Sequence, residues 1–137
     1  MSNEQLVALI SERLCTGGTA SLTVTGNSMA PIFKSGVTVV SLKKCDNIRK
    51  YDIVLYQRQN GTVVLHRVIR VAGDTLVLRG DNDIQTEKGV PCAAVIGLAY
   101  EACTEGKRVH LQGIRNRMQG RYAALKRSVK RLFYKKR

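Results

Sequence analysis

The sequence has few aromatic residues and no long apolar run. It contains five Tyr, two Phe and no Trp, so it offers few of the stacking surfaces that proteins use to bind single-stranded nucleic acid. It has no stretch of about 20 apolar residues, the length that a transmembrane helix needs. Charged residues interrupt the apolar ones between Met1 and Cys15, which is not the pattern of a secretory signal. These absences predict a cytoplasmic protein.

Cysteine and histidine are also sparse. The four cysteines, at positions 15, 45, 92 and 103, form no C-x-x-C pair. Neither His66 nor His110 lies at a metal-ligand spacing from them, so we expect neither a metal ion nor another cofactor. In a cytoplasmic protein such cysteines are expected to remain reduced.

Acidic residues are absent from the last part of the chain. Residues 113–137 hold ten Lys and Arg and no Asp or Glu, whereas residues 1–112 carry thirteen basic and ten acidic side chains. The formal net charge of +13 therefore resides mainly in the C-terminal segment. We predict a near-neutral domain over 1–112 followed by a basic helix over 113–137.

Apolar spacing predicts the elements of the domain. Leu6, Ile10 and Leu14 recur at helical spacing, which indicates a short amphipathic helix over 3–15. Between Ala20 and Ala102 the period changes to two, and turn residues such as Asn60-Gly61, a predicted two-residue hairpin turn, separate the apolar runs. Short strands without intervening helices predict a mainly β fold, an antiparallel coiled sheet or partly open barrel. The first alternating run is 22–25, and the further predicted strands are 37–42, 53–57, 62–71, 75–79, 94–100 and 107–111.

The basic segment has an apolar stripe that runs from Ile114 to Phe133 at helical spacing. A fully solvated helix is one interpretation, and packing of the stripe on the β domain is another. A third is adsorption to an anionic membrane surface, which would place the protein at the inner face of the membrane. Nucleic-acid binding is the least favoured, because no base-reading element accompanies the charge.

A serine lies on a predicted sharp turn directly after the first strand. The turn residues are Gly26, Asn27, Ser28, Met29, Ala30 and Pro31. Glycine permits a sharp bend and proline fixes the exit of the chain, so the Ser28 hydroxyl can project away from the sheet. The backbone N–H of Ser28 could then stabilise an oxyanion. The local chemistry is equally compatible with a plain Ser/Asn turn.

A histidine lies within an apolar strand. By alternation His66 shares a face with Val64 and Val68, where an imidazole needs a hydrogen-bond partner. Partial burial keeps such a histidine neutral near pH 7, as a general base requires. The alternative is a core histidine that is bonded to a backbone carbonyl.

Acidic residues follow the next predicted strand. Asp81 and Asp83 lie in the sequence Gly80-Asp-Asn-Asp83, and Glu87 comes four residues later. A carboxylate here could orient a histidine as the third member of a triad. The same composition is also typical of a turn, and its spacing does not match a calcium loop.

Together and in this order, these segments resemble the superfamily of type I signal peptidases and LexA-like self-cleaving repressors, over roughly 80 residues between Thr23 and Tyr100. Two further segments, Lys50–Val54 and Val95–Gly97, contribute to the resemblance. Members with a lysine base would need Lys at position 66, whereas those similar to the endoplasmic-reticulum and archaeal signal peptidases have His-Arg-Val there. The resemblance therefore implies Ser28 as nucleophile and His66 as general base.

The resemblance also suggests the remaining site residues. Two acidic positions matter in the similar enzymes, and they correspond here to Asp81 and Glu87, with Asp83 within reach. The family more often has Asp at the second position. The neighbours of Ser28 are the candidate oxyanion and substrate-binding positions; they are Gly26, Asn27, Met29 and Pro31. Signal peptidases are anchored by a transmembrane helix, which this sequence lacks, so cleavage of exported preproteins does not follow.

Three hypotheses remain. The first is a serine endopeptidase that cleaves a peptide or protein precursor through Ser28 and His66. The second is a non-catalytic or self-cleaving LexA-like regulatory module that binds a partner, and the third is a basic adaptor at a membrane surface. The first requires Ser28 and His66 to lie on the same side of the sheet and close together.

Overall fold

Helix α1 spans Asn3–Cys15 and begins at a capping box. Ser2 Oγ accepts a hydrogen bond from Gln5 N at 3.2 Å, and Gln5 Oε1 accepts one from Ser2 N at 2.9 Å. These reciprocal bonds satisfy donors that the first helical turn would otherwise leave free. Ile10 and Leu14 bury one face of the helix. The amphipathic helix predicted for 3–15 is therefore confirmed.

The computed structural model describes residues 2–112, 121–123 and 125–126. In this part of the chain eight strands follow α1, and a 3-10 turn at Cys92–Ala94 joins the sixth to the seventh. The strands are β1 (Ala20–Thr23), β2 (Val39–Lys43), β3 (Ile53–Gln57), β4 (Val63–Ala72), β5 (Thr75–Arg79), β6 (Glu87–Pro91), β7 (Val95–Thr104) and β8 (Lys107–His110). The mainly β fold is as predicted.

All strand pairs are antiparallel and form a single sheet. The order is β1-β2-β7-β3-β4-β5-β6, and β8 also pairs with β7. Among the described residues the end strands β1 and β6 do not pair with each other, so the sheet is open rather than a closed barrel. Strand β5 is the neighbour of β4, where the candidate histidine lies, and the loop after β5 packs on the turn before β2 through the hydrogen bond from Asn82 N to Ser28 O.

Strand β6 is absent from the sequence prediction. Its five residues include Gly89 and Pro91, which are both uncommon in strands, and only Val90 is buried. An edge strand tolerates such residues because one side of its backbone needs no partner. Its pairing with β5 places Glu87 opposite Leu78.

The hairpin between β3 and β4 is not the predicted two-residue turn. Arg58 N donates to Thr62 O at 2.8 Å, which leaves three residues in the loop. Gly61 has a φ of 87°, whereas Asn60 does not have a positive φ. A two-residue type I′ turn needs positive φ at both central positions, and a three-residue loop needs it only at the last. The prediction was therefore wrong in loop length.

Strand β3 lies between two hydrophobic clusters. Ile53 and Leu55 belong to the cluster that includes α1, and Val54 and Tyr56 belong to the other. Because alternate side chains of a strand point to opposite faces, β3 is buried on both sides. His66 pairs with Val54 and so lies on the second face, as predicted.

The predicted C-terminal helix is described in part. Residues 121–123 and 125–126 are helical, and Tyr122 and Leu125 are largely exposed there. The rest of the predicted helix over 113–137 lies outside the described residues. No described helix combines the length and the apolar character needed to cross a membrane.

Candidate active site

Ser28 lies in the connection between β1 and β2, on a tight turn. Gly26 has a φ of 82°, in the left-handed region that favours glycine. Asn27 O accepts a hydrogen bond from Ala30 N at 3.1 Å, and the Ala30–Pro31 peptide bond is cis. Ser28 is half-buried, and three of its candidate neighbours, Gly26, Asn27 and Pro31, are exposed.

The fourth candidate neighbour, Met29, anchors the turn. Its side chain is 2% exposed and belongs to the cluster that includes α1. Met29 O accepts a hydrogen bond from Phe33 N at 3.0 Å, and Phe33 is buried in the same cluster. Burial of these two side chains fixes the backbone on the C-terminal side of Ser28.

The loop after β5 packs directly against the Ser28 turn. Ser28 O accepts a hydrogen bond from Asn82 N at 2.8 Å, and Asn27 O accepts one from Asn82 Nδ2 at 3.1 Å. A Cβ atom on Gly80 would lie 2.4 Å from Ser28 O and 2.9 Å from Ser28 Cβ. Only glycine permits this approach, so Gly80 is required for the close packing of the two segments.

Asp83 lies at the same point of contact. Its Oδ2 is 2.5 Å from the position of a Cβ on Gly80, and 3.5 Å from His66 Nε2. Ser28 Cβ and the Asp83 carboxylate therefore flank Gly80 together, with the His66 ring beyond the carboxylate. Within the described residues no hydrogen bond joins Ser28 Oγ to His66. Apo active sites often lack such a bond until substrate binds.

His66 is bonded through its other ring nitrogen. The side chain is 5% exposed on β4, and Nδ1 lies 3.0 Å from Tyr56 Oη on the adjacent strand β3. Tyr56 is fully buried, and its ring is tilted by 56° to the imidazole. The partner of Nδ1 is thus a tyrosine hydroxyl and not the backbone carbonyl that the sequence allowed as an alternative.

The surroundings of His66 favour its neutral form. Burial is the largest effect and lowers the pKa of His66 below its ordinary value. The carboxylate of Asp83 acts in the opposite direction, and the Arg58 guanidinium lowers the pKa further. The net shift is downward, so the imidazole is available as a proton acceptor near neutral pH.

Glu87 reaches His66 only through Tyr56. Tyr56 Oη donates to Glu87 Oε1 at 2.9 Å, and Arg58 donates to the same oxygen from Nε at 3.0 Å and from Nη2 at 2.9 Å. Burial alone would raise the pKa of Glu87, but these hydrogen bonds hold it below its usual range. Burial and then the bond to Glu87 raise the pKa of Tyr56, which keeps its proton.

Asp81 is bonded to Arg67 rather than to His66. Arg67 donates from Nε to Asp81 Oδ1 at 2.8 Å and from Nη2 to Oδ2 at 2.9 Å. The Arg67 side chain is fully buried and also donates to Tyr51 O at 2.9 Å. Asp81 N donates to Met29 Sδ at 3.4 Å, so this ion pair lies against the anchor of the Ser28 turn.

Sequence reasoning missed four residues of this arrangement: Tyr56, Arg58, Arg67 and Gly80. One signal was available for Tyr56, because it alternates with Val54, the residue that pairs with His66. Diagonal neighbours on one face of an antiparallel pair are within reach of an aromatic side chain. Alternation along β4 places the Arg67 side chain on the face opposite His66, and the sequence alone assigns it no partner.

A cleft of about 610 Å³ opens beside the histidine. His66, Asn82, Asp83 and Glu87 are among its lining residues, so one side of the largely buried ring borders the cleft. The described residues contain no cluster of three or more His, Cys, Asp or Glu side chains that could hold a metal ion. The cleft has an imidazole and carboxylates in its lining, and Ser28 lies on the turn that is bonded to Asn82 beside it. A hydroxyl, an imidazole and a carboxylate are the groups that acyl transfer by a serine uses.

Comparison with known proteins gives one family match. The family model described as Peptidase S24-like matches residues 2–99, which contain all the candidate site residues. No curated protein matches the chain.

Proposed function

Because the chain belongs to the Peptidase S24-like family, we propose that it is a serine endopeptidase that cleaves a peptide or protein precursor. Ser28 is the nucleophile and His66 is the general base. Histidine at position 66 associates the chain with the Ser-His enzymes that the sequence resembles, and not with the lysine-dependent ones.

One observation carries the proposal: the Ser28 turn and the acidic loop meet at Gly80. A Cβ atom on Gly80 would lie 2.9 Å from Ser28 Cβ and 2.5 Å from Asp83 Oδ2, so these two groups are close to each other. Asp83 Oδ2 is in turn 3.5 Å from His66 Nε2. Three segments that are distant in sequence thus bring a serine close to a carboxylate, and that carboxylate close to a histidine that lines the cleft. A structural turn alone would need neither the carboxylate nor the histidine.

The proposed reaction has two stages. His66 Nε2 takes the proton of Ser28 Oγ as the oxygen attacks the peptide carbonyl carbon, and the imidazolium then gives that proton to the leaving amine. In the second stage water attacks the acyl carbon with His66 as base, the bond to Ser28 Oγ breaks, and the imidazolium returns the proton to that oxygen. The carboxylate of Asp83 beside Nε2 stabilises the imidazolium that forms in each stage.

The backbone N–H of Ser28 is the proposed oxyanion donor. It donates no hydrogen bond within the described residues, whereas Ser28 O is already bonded to Asn82 N. A donor that is held in place before the reaction stabilises the developing charge without having to reorganise. The anchored turn keeps the hydroxyl and the donor of Ser28 in a fixed relation.

Cleavage is expected to rise with pH, with its half-maximal rate below about pH 6.5, the ordinary pKa of histidine. His66 accepts a proton only when it is neutral, and burial lowers its pKa, so the active form already predominates at neutral pH. The rate should be measured on a proteome-derived peptide library across a pH series, with the new termini read by mass spectrometry.

The variant His110→Gln is the control for this profile, because His110 is exposed and is the only other histidine in the sequence. It should leave the pH profile unchanged. A half-maximal rate near about pH 10, as an unperturbed lysine base would give, would contradict the assignment of His66. Absence of cleavage at every pH would count against the peptidase function itself.

Gly80→Ala is expected to reduce turnover about 10- to 100-fold, because small displacements of a reacting group are costly. The new Cβ would lie 2.4 Å from Ser28 O, which is backbone and cannot rotate away, so the Ser28 turn must shift. We expect a loss of about 1–3 kcal/mol of unfolding free energy as well.

Gly97→Ala is a matched control for Gly80→Ala. Its Cβ would lie 2.7 Å from Leu14 Cδ1, the end of a side chain that can shift, so it introduces a milder clash, between β7 and α1 and away from the Ser28 turn. It should lower stability but leave the turnover of the folded fraction unchanged. Equal turnover by the two variants would show that the contact at Gly80 does not position Ser28.

A further inference from the structure

We propose that Tyr56 is a positioning residue for His66: it links the ring to Glu87, holds the ring proton on Nδ1 and leaves Nε2 free to accept the proton of Ser28. The catalytic consequence rests on the proposed function. The position of the ring proton does not depend on that function and can be measured without a substrate.

The argument begins from the single proton of the tyrosine hydroxyl. Tyr56 Oη lies 3.0 Å from His66 Nδ1 and 2.9 Å from Glu87 Oε1. An ionised carboxylate can only accept a hydrogen bond, so Tyr56 must donate its proton to Glu87 if that contact is a bond. The tyrosine oxygen is then an acceptor toward the ring, and His66 Nδ1 must carry the hydrogen.

The tautomer that is protonated on Nε2 would form weaker hydrogen bonds in the same geometry. It would place the proton on Nε2, toward Asp83 Oδ2 at 3.5 Å, and turn the Tyr56 proton toward Nδ1. A separation of 3.5 Å exceeds the usual range for N–H···O bonds, whereas the bond from Tyr56 to Glu87 is short and charge-assisted. The distances therefore favour the proton on Nδ1.

Arg58 stabilises the hydrogen bond between Tyr56 and Glu87. Two of its nitrogens donate to the same Glu87 oxygen, which keeps the carboxylate ionised as an acceptor for Tyr56. Charged and titratable groups face His66 from three segments. Tyr56 lies in β3 and Arg58 directly after it, Asp81 and Asp83 lie in the loop after β5, and Glu87 lies in β6. Among them, Tyr56 makes the hydrogen bond to Nδ1.

The arrangement accounts for the glutamate that replaces the more usual aspartate. Glu87 makes its hydrogen bond to the tyrosine and not to the imidazole, so its charge acts on His66 through the Tyr56 hydroxyl. In a triad the acidic residue fixes the tautomer and stabilises the imidazolium. Here Tyr56 and Glu87 fix the tautomer on the Nδ1 side, while Asp83 lies near the charge that forms at Nε2.

Nitrogen-15 NMR of the imidazole rings tests the proposal, since the two neutral tautomers give distinct nitrogen shifts. At about pH 8, where His66 is neutral, the wild-type ring should carry its proton on Nδ1. The variant His110→Gln leaves a single histidine and makes the assignment unambiguous. A wild-type ring that is protonated on Nε2 would overturn the proposal.

Two variants remove the link in different ways. Tyr56→Phe keeps the ring but deletes the hydroxyl, so the Nδ1 preference should be lost. Glu87→Gln removes the charged acceptor, so the Tyr56 proton is free to turn toward Nδ1 and the ring proton should move to Nε2. The Nδ1 tautomer retained in both variants would contradict the role of Tyr56. Because the Glu87 site is partly exposed, this second variant tests the proposal even if Tyr56→Phe does not fold.

Peptide cleavage supplies the second measurement. Tyr56→Phe should lower kcat about 10- to 100-fold with little change in KM, less than the effect of losing an entire triad member. Tyr122→Phe, at an exposed tyrosine, should match wild type. If the tautomers behave as expected but wild type cleaves no peptide, the proposed function fails and the assignment of Tyr56 stands. An unchanged kcat in an active enzyme would overturn its positioning role.

Discussion

Ser28→Ala is expected to reduce peptide cleavage by a factor of about 10³ or more, which would make it the most damaging single-atom deletion in the chain. Removal of the hydroxyl eliminates the acyl-enzyme route, and only binding and the oxyanion donor would remain. The folded state should be little affected, because Ser28 Oγ has no hydrogen bond among the described residues. We expect the unfolding free energy to change by less than about 0.5 kcal/mol.

The measurement compares peptide-library cleavage with the midpoint of urea unfolding. Ser21→Ala is the matched control, because Ser21 is an exposed serine of β1 and its hydroxyl lies 3.4 Å from Ser41 Oγ, away from the cleft. It should leave both quantities unchanged. Equal cleavage by wild type and Ser28→Ala would remove Ser28 as the nucleophile. A large loss of stability in Ser28→Ala would show that the serine has a structural role.

Strand positions could be read from the sequence wherever one strand face is clearly apolar. The predicted limits of β3 and β5 match the structure at both ends, because apolar residues fill those runs and turn residues bound them. The edge strand β6 could not be found in the same way, since four of its five residues lack a buried side chain. Its existence depends on pairing with β5, which is information that local composition does not contain.

Some residues of the candidate site could likewise be predicted from the sequence, and others could not. Ser28 and His66 could be selected from local pattern and from the family resemblance, and so could the three acidic residues. Their partners could not be selected, because the link between His66 and Tyr56 depends on the register of the β3–β4 hairpin. The separate roles of Asp81 and Asp83 depend on which way the loop after β5 turns, a matter of tertiary packing.

The basic segment, residues 113–137, holds ten Lys and Arg and no Asp or Glu. The family match ends at residue 99, and of residues 113–137 only 121–123 and 125–126 are described. Binding to an anionic membrane surface thus stays a prediction from charge and apolar spacing. Comparison of liposome sedimentation before and after deletion of 113–137 is the direct test of that hypothesis.

Arg67→Met is expected to lower the unfolding free energy by about 3–5 kcal/mol, the usual cost of leaving one partner of a buried ion pair alone. The Arg67 side chain is 0% exposed and that of Asp81 is 4% exposed, so water cannot replace the lost guanidinium. Tyr51 O loses a hydrogen bond in the same variant. The midpoint of urea unfolding should fall without a change in its slope.

The double variant Arg67→Met/Asp81→Leu distinguishes the cost of an unpaired buried charge from the effect of the ion pair on the position of the loop after β5. It removes both buried charges, so much of the lost stability should return. Cleavage should not return with it, because the ion pair holds Asp81 against Met29 and thereby helps to fix the turn that carries Ser28.

Lys34→Met is the control; it breaks an exposed ion pair with Glu105 and should leave the midpoint of urea unfolding unchanged. If stability and cleavage recover together in the double variant, the pair stabilises the fold without positioning the site. Recovery of stability alone would show that a buried arginine next to the base is retained for the geometry of the nucleophile.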